Sequence, residues 1–163
     1  MKQKPTYIRR DVAVVFQIMY SLEIALSRLY ALFAFKFPEE APFWKKLSND
    51  EIVHGDNIKR IVKLVAENDV VYEIGKSFSS KAGIALIENI KLYISDVNEN
   101  FVSKEKSFNI GIELEKYLIE ANYMDFLITD NKEYNDFIKV VAQETIQHKA
   151  FIEKKLRQYS SGV

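Results

Sequence analysis

Residues 45–64 read KKLSNDEIVHGDNIKRIVKL, and their apolar side chains do not alternate. With Trp44 just upstream, Leu47, Glu51, His54 and Ile58 follow at steps of three and four. That is the spacing of one face of an α-helix, which turns about 100° per residue. Where a plain amphipathic helix carries Leu or Ile, this face carries a carboxylate and an imidazole, both costly to desolvate. The stretch therefore fixes a helix and raises a question about its inward face.

The same period runs through the rest of the chain, which holds only five Gly and three Pro to interrupt it. An all-α fold is expected. A first helix is predicted from about Asp11, taken as its cap, to Phe37, stopping before Pro38, and a second from about Glu40 to Asn68. The less regular DVVYEIGKSFSS follows, with Ser79 or Ser80 as the cap of a third helix across KAGIALIENIKLYISDV. Ser103 caps a fourth helix predicted to reach about Ile128; Thr129, Asp130 and Asn131 form a turn, and a fifth helix runs from about Lys132 to Gln158. Short links join helices one and two and helices four and five. The expected architecture is one domain over 1–163. It has two antiparallel hairpins, about 11–68 and 103–159, and a long crossover at about 69–102 that contains the additional helix.

The 163 residues are enough to bury a sizeable core, and the 48% apolar and 28% charged content is that of a globular protein. Lys+Arg and Asp+Glu both total 23, so no net field points to nucleic acid or an anionic membrane. Without cysteine there are no disulfides, zinc ribbons or iron–sulfur ligands. The start MKQKPTYIRR followed by VAVVFQIMY has the outline of a leader, but Gln17 and Glu23 interrupt it and the helical period continues, so it reads as part of a mature helix. No run is read as approaching the roughly 18 to 20 apolar residues of a bilayer span, and a cytoplasmic location is expected.

Each long helix of the two hairpins is expected to turn one carboxylate inward. Glu23 lies among Phe16, Met19, Tyr20, Leu26 and Tyr30, and Glu115 among Phe108, Ile112, Leu118 and Ile119. Glu144 lies among Phe137, Val140, Val141, His148 and Phe151. Glu113, Glu120 and, on the third helix, Glu88 fall on lysine-bearing faces and read as solvated charges. Any one inward Glu or His is ordinarily a boundary residue reaching water or a cation. Four carboxylates and two imidazoles converging would repel one another and strand buried charge, at a cost of several kcal/mol apiece. A pair of metal ions held by Glu23, Glu51, His54, Glu115, Glu144 and His148 removes all of those costs together.

Both histidines follow an inward glutamate on the second helix of a hairpin, as EIVH at 51–54 and ETIQH at 144–148. The interval from Glu23 to Glu51 nearly equals that from Glu115 to Glu144, the pattern of a diverged duplication. At this point LEIALSRLYALFAFKFPEEAPFWKKLSNDEIVH, IELEKYLIEANYMDF and AQETIQHKAFIEKKL resemble the two hairpins of the ferritin-like di-iron carboxylate superfamily, in its rubrerythrin-like branch. The resemblance implies a ferritin-like four-helix bundle in which Glu23, Glu51, His54 and Glu115 take ligand positions. On the fifth helix the second Glu-x-x-His is degenerate: Thr145 stands three residues before His148, and Gln147 three after Glu144.

The resemblance further implies two iron ions, with manganese or a mixed pair as variants, and a non-haem di-iron oxidoreductase acting on hydrogen peroxide or O₂. Without a rubredoxin-like tail it implies an external electron donor, and it fits a homodimer or higher homo-oligomer. Tyr20 and Tyr30 are candidates for supporting the ligands. Two alternatives remain: a ferritin-like iron store with ferroxidase activity, and a non-enzymatic helical binding or structural protein with a partly lost metal site.

Overall fold

A computed structural model of the chain describes residues 8–67, 71–122 and 125–162. The architecture is all-α, with five helices and one very short strand pair among the described residues. In chain order these are α1 (Arg10–Lys36), a 3₁₀ turn (Pro38–Glu40), α2 (Ala41–Glu67), β1 (Glu73–Ile74), α3 (Ser80–Asn98), α4 (Lys104–Glu120), β2 (Leu127–Ile128) and α5 (Lys132–Ser161).

Local chemistry accounts for most of the helix starts. Ser79 accepts from the Ala82 N–H and Ser103 from the Lys106 N–H, each satisfying an amide that the first turn leaves unpaired. Asn131, read from sequence as a turn residue, caps α5 by accepting from the Tyr134 N–H at 2.8 Å. Asp11 is not a cap: Arg9 holds that position without a side-chain bond, and Asp11 lies inside the first turn, where it bonds Arg9 and favours the positive end of the helix. α1 stops at Lys36, short of Pro38 as the proline requires. The expected end of the second helix at Asn68 lies outside the described residues.

The fourth helix departs most from expectation. It ends at Glu120 rather than near Ile128, and Leu127 and Ile128 instead pair antiparallel with Ile74 and Glu73; positions 123 and 124 lie outside the described residues. This ribbon is fastened at Gly75, whose N–H donates to the Phe126 carbonyl, and a Cβ there would stand 1.4 Å from the Asp125 carbonyl oxygen. Only glycine lets the two backbones approach that closely.

The side-chain partners give the helix directions. α1 and α2 are antiparallel: Ser27 bonds Ser48, while the Tyr30 and Trp44 rings lie 5.3 Å apart nearer the connecting turn. α2 and α5 are antiparallel as well, with Arg60 beside Glu133 at one end and Glu40 beside Lys155 at the other. α3 runs parallel to α1, from Gly83 against Ile18 to Asn100 beside Lys36. α4 therefore runs in the same direction as α2, and the chain must travel back along the molecule before starting the second hairpin. The 19-residue α3, about 28 Å at 1.5 Å per residue, does that. α3 lays Leu86, Ile90 and Val97 on the core.

The core is filled by Met19, Leu22, Leu26, Leu29 and Phe33 from α1, Trp44, Leu47, Ile58 and Ile61 from α2, and Phe108, Val141 and Ile152 from the second hairpin. By length and composition α1 is apolar enough to cross a membrane, with a window of mean hydropathy 1.5, which corrects the sequence reading that no run approaches that level. Its apolar residues are covered here by α2 and α3, and 61% of the window is buried. A core helix meets the same test.

Candidate metal centre

Four helices bring their polar residues to one place inside this core. On α2 the stripe Trp44, Leu47, Glu51, His54 and Ile58 is buried as the spacing predicts. Glu23 of α1 and Glu115 of α4 are also buried, as are both histidines. The centre of the cluster is Glu51. Its Oε2 lies 2.9 Å from His54 Nδ1, and its Oε1 lies 3.0 Å from His148 Nδ1. Glu23 Oε2 stands 3.5 Å from the same His54 nitrogen, and Glu115 Oε1 stands 3.7 Å from His148 Nδ1.

Two sets of three groups result, Glu23–Glu51–His54 and Glu51–Glu115–His148, each with its ligating atoms within 4.8 Å of one another. Tyr30 donates to Glu115 Oε1 at 2.6 Å and fixes that carboxylate from the α1 side. Glu113 and Glu120 are exposed, and Glu88 is exposed beside Lys91, as the sequence indicates. Tyr20, the other tyrosine candidate, is turned away with its ring under the Lys59 ammonium.

Glu144 departs from the predicted orientation. The inward stripe of α5 is Val141, Thr145, His148 and Ile152, so Glu144, 100° away from Thr145, falls on the edge with Val140 and Phe151, which are exposed. Its side chain is 41% exposed, and it reaches the cluster only through His54 Nε2, at 2.6 Å. It belongs to neither set of three. Thr145 takes the inward position and donates back to the Val141 carbonyl.

Asp50, which the sequence reading did not single out, has the matching place: its Oδ2 lies 3.2 Å from His148 Nε2. Four residues from Lys46, which it also bonds, it reads as half of an ordinary surface pair. The available signal was its place four residues before His54, beside the inward stripe.

Electrostatics follow from burial and crowding. Burial, reinforced by the neighbouring Glu51 charge, pushes the Glu23 carboxyl up to about 7, although its contact with His54 pulls the other way. Burial opposes charge on both imidazoles. Glu23 and Glu51 nevertheless drive His54 up to about 11, and Glu115 and Glu51 drive His148 up to about 10. Burial also raises Glu51, but the two imidazoles outweigh it and hold that carboxyl below its ordinary value. Among the described residues no Lys or Arg pairs with Glu23, Glu51 or Glu115; the only cations within reach are protons on the two rings.

Within the cluster two buried atoms have no hydrogen-bond partner among the described residues, Glu115 Oε2 and His148 Nδ1. Three buried carboxylates and two imidazoles, with no Lys or Arg among the described residues to balance the acids, suit a hard or borderline divalent metal in place of the ring protons. Comparison of the chain with family models, with curated proteins and with solved structures gave no match.

Proposed function

We propose that the cluster is a dinuclear metal centre in a ferritin-like four-helix bundle of the rubrerythrin type, and that the protein is a non-haem di-iron oxidoreductase acting on hydrogen peroxide or O₂. The observation that carries the reading is Glu51, whose two oxygens face two different histidines inside a buried site. Placed between the two histidines, Glu51 would help to hold a metal on either side. Glu23 and His54 would complete one half, Glu115 and His148 the other. The antiparallel pairs α1–α2 and α4–α5, with α3 as the long connection, support the bundle assignment.

Two iron ions held there would supply redox chemistry toward peroxide or O₂. The chain's own residues bind and shelter: Tyr30 fixes Glu115, and the block of Tyr30, Phe33, Trp44 and Phe108 closes one end of the site to water. Electrons come in this reading from a separate donor, and the protein works as a homo-oligomer in the cytoplasm.

The test is anaerobic titration of metal-free protein with Fe(II), followed by peroxide consumption. Two Fe(II) per chain and turnover with a reductant are expected; no uptake ends the proposal. Thr145 supports a second reading, because a buried hydroxyl bonded to its own helix stands where the resemblance expects a carboxylate. Under it only the Glu23–Glu51–His54 half holds a metal, and the titration stops at one.

A further inference from the structure

We propose that a hollow of about 260 Å³ between the start of α3 and the end of α4 is a binding site for a small amine with an aromatic body. Its floor is apolar: Leu22 of α1, Leu86 of α3, Leu118 of α4 and Phe126 line it, and all four are buried. α3 is packed on α1, where Gly83 meets Ile18, and the facing walls of α3 and α4 include the short side chains of Ala82 and Ala121, which leave the gap open. Protein interiors hold few voids larger than a water molecule, so a space of this size over four apolar side chains is room for a guest somewhat smaller than a drug-sized ligand. Phe126 is set edge-on to Phe78, with 5.2 Å between centroids, and gives that guest a fixed aromatic wall.

The mouth decides the head group. Ser77, Ser79, Tyr117 and Glu120 stand around it, and no Lys or Arg is among the described residues that line the hollow. Glu120 is the last residue of α4, so its carboxylate adds to the negative end of that helix, and both favour a cation. The ion pair that Glu120 makes with Lys116, at 3.6 Å, is well exposed and holds little, so an ammonium group in the hollow can replace it. No member of the two metal-binding sets lines this space, and the proposal stands whether or not the cluster takes up metal.

The probe is phenethylamine, with phenethyl alcohol as its uncharged counterpart, titrated into the full chain labelled at the leucine methyl groups. The amine should move the Leu22, Leu86 and Leu118 signals along one saturable curve, in the millimolar range expected of about nine heavy atoms. It should bind about five-fold tighter than the alcohol, and Glu120→Gln should erase that preference while leaving the alcohol unchanged. Ala82→Leu and Ala121→Leu, which fill the hollow from opposite walls, should each abolish uptake of both compounds, with circular dichroism showing that the helices persist. If the three signals stay put, or drift without saturation together with methyl groups elsewhere, there is no site. Equal affinity for the two compounds, or a preference that survives Glu120→Gln, overturns the assignment of an amine. Glu120 is exposed, so that comparison holds even if a filled variant does not fold. Undiminished binding in a folded Ala82→Leu or Ala121→Leu chain places the probe elsewhere and ends the proposal.

Discussion

The half of the cluster around His54 and the half around His148 use the same donor types but are assembled differently. The first is supplied by α1 and α2, adjacent helices of one hairpin, with Glu51 and Glu23 at 2.9 and 3.5 Å from the ring nitrogen. The second draws on α2, α4 and α5, so it exists only when the hairpins dock. Its contacts are 3.0 and 3.7 Å, and it retains the two unpartnered atoms. A site within one hairpin is preorganised by local sequence, whereas one between hairpins inherits any looseness of the tertiary interface. The His54 half should accordingly bind first and more tightly.

The substitution expected to break the comparison most severely is Glu51→Ala, since Glu51 belongs to both sets. Uptake of Fe(II) or Co(II) should fall from two per chain to none, measured by calorimetry alongside circular dichroism to show that the helices persist. Retention of one tight metal in the variant would mean that one half does not need the shared carboxylate, and the bridging geometry would have to be abandoned.

Thr145→Glu sharpens the comparison instead. It places a carboxylate on the inward stripe of α5, three residues before His148, and removes the hydroxyl bond to Val141. In the metal-free protein a further buried acid without a cation should destabilise by about 1–3 kcal/mol. In the loaded protein the second half gains a ligand, so the metal-dependent rise in melting temperature should exceed that of the wild type. A variant destabilised equally with and without metal would show that position 145 does not face an ion.

These two positions also show how much was legible beforehand. α1 and α2 could be read because Pro38 ends the first helix, and on α2 one stripe, Trp44, Leu47, Glu51, His54 and Ile58, fits the buried face. α5 offered two adjacent stripes, since Val140 and Val141 are both apolar, as are Phe151 and Ile152. Periodicity cannot choose between them; docking against α4 and α2 does, and it selects the stripe with Thr145 and displaces Glu144. The end of α4 was misplaced for a related reason. Leu127 and Ile128 continue an apolar run, but their partners are Ile74 and Glu73, far earlier in the chain and fixed there by a close approach at Gly75. Asp50 was hidden because a four-residue spacing from Lys46 already accounts for it locally.

The smallest effects come from two buried tyrosines of opposite standing, one beside the His148 half and one outside the cluster. Tyr30 donates to Glu115, and Tyr30→Phe would leave that carboxylate with neither oxygen hydrogen-bonded, costing about 1–2 kcal/mol in denaturant unfolding and loosening the second metal before the first. The Tyr72 hydroxyl is buried with no partner among the described residues, so Tyr72→Phe should be neutral or slightly stabilising at neutral pH. The alkaline limb separates them further. Burial, with the Glu133 charge nearby, pushes the Tyr72 phenol up to about 12 from the ordinary 10.0. The folded state therefore holds its proton more tightly than the unfolded chain, and stability intact below pH 10 is lost as pH rises toward 12. Removing the phenol removes that loss, so the stability curve of Tyr72→Phe should fall less steeply over this window. A curve parallel to the wild type would place the Tyr72 hydroxyl in contact with water and leave Tyr30 as the one buried phenol of the pair whose removal is felt.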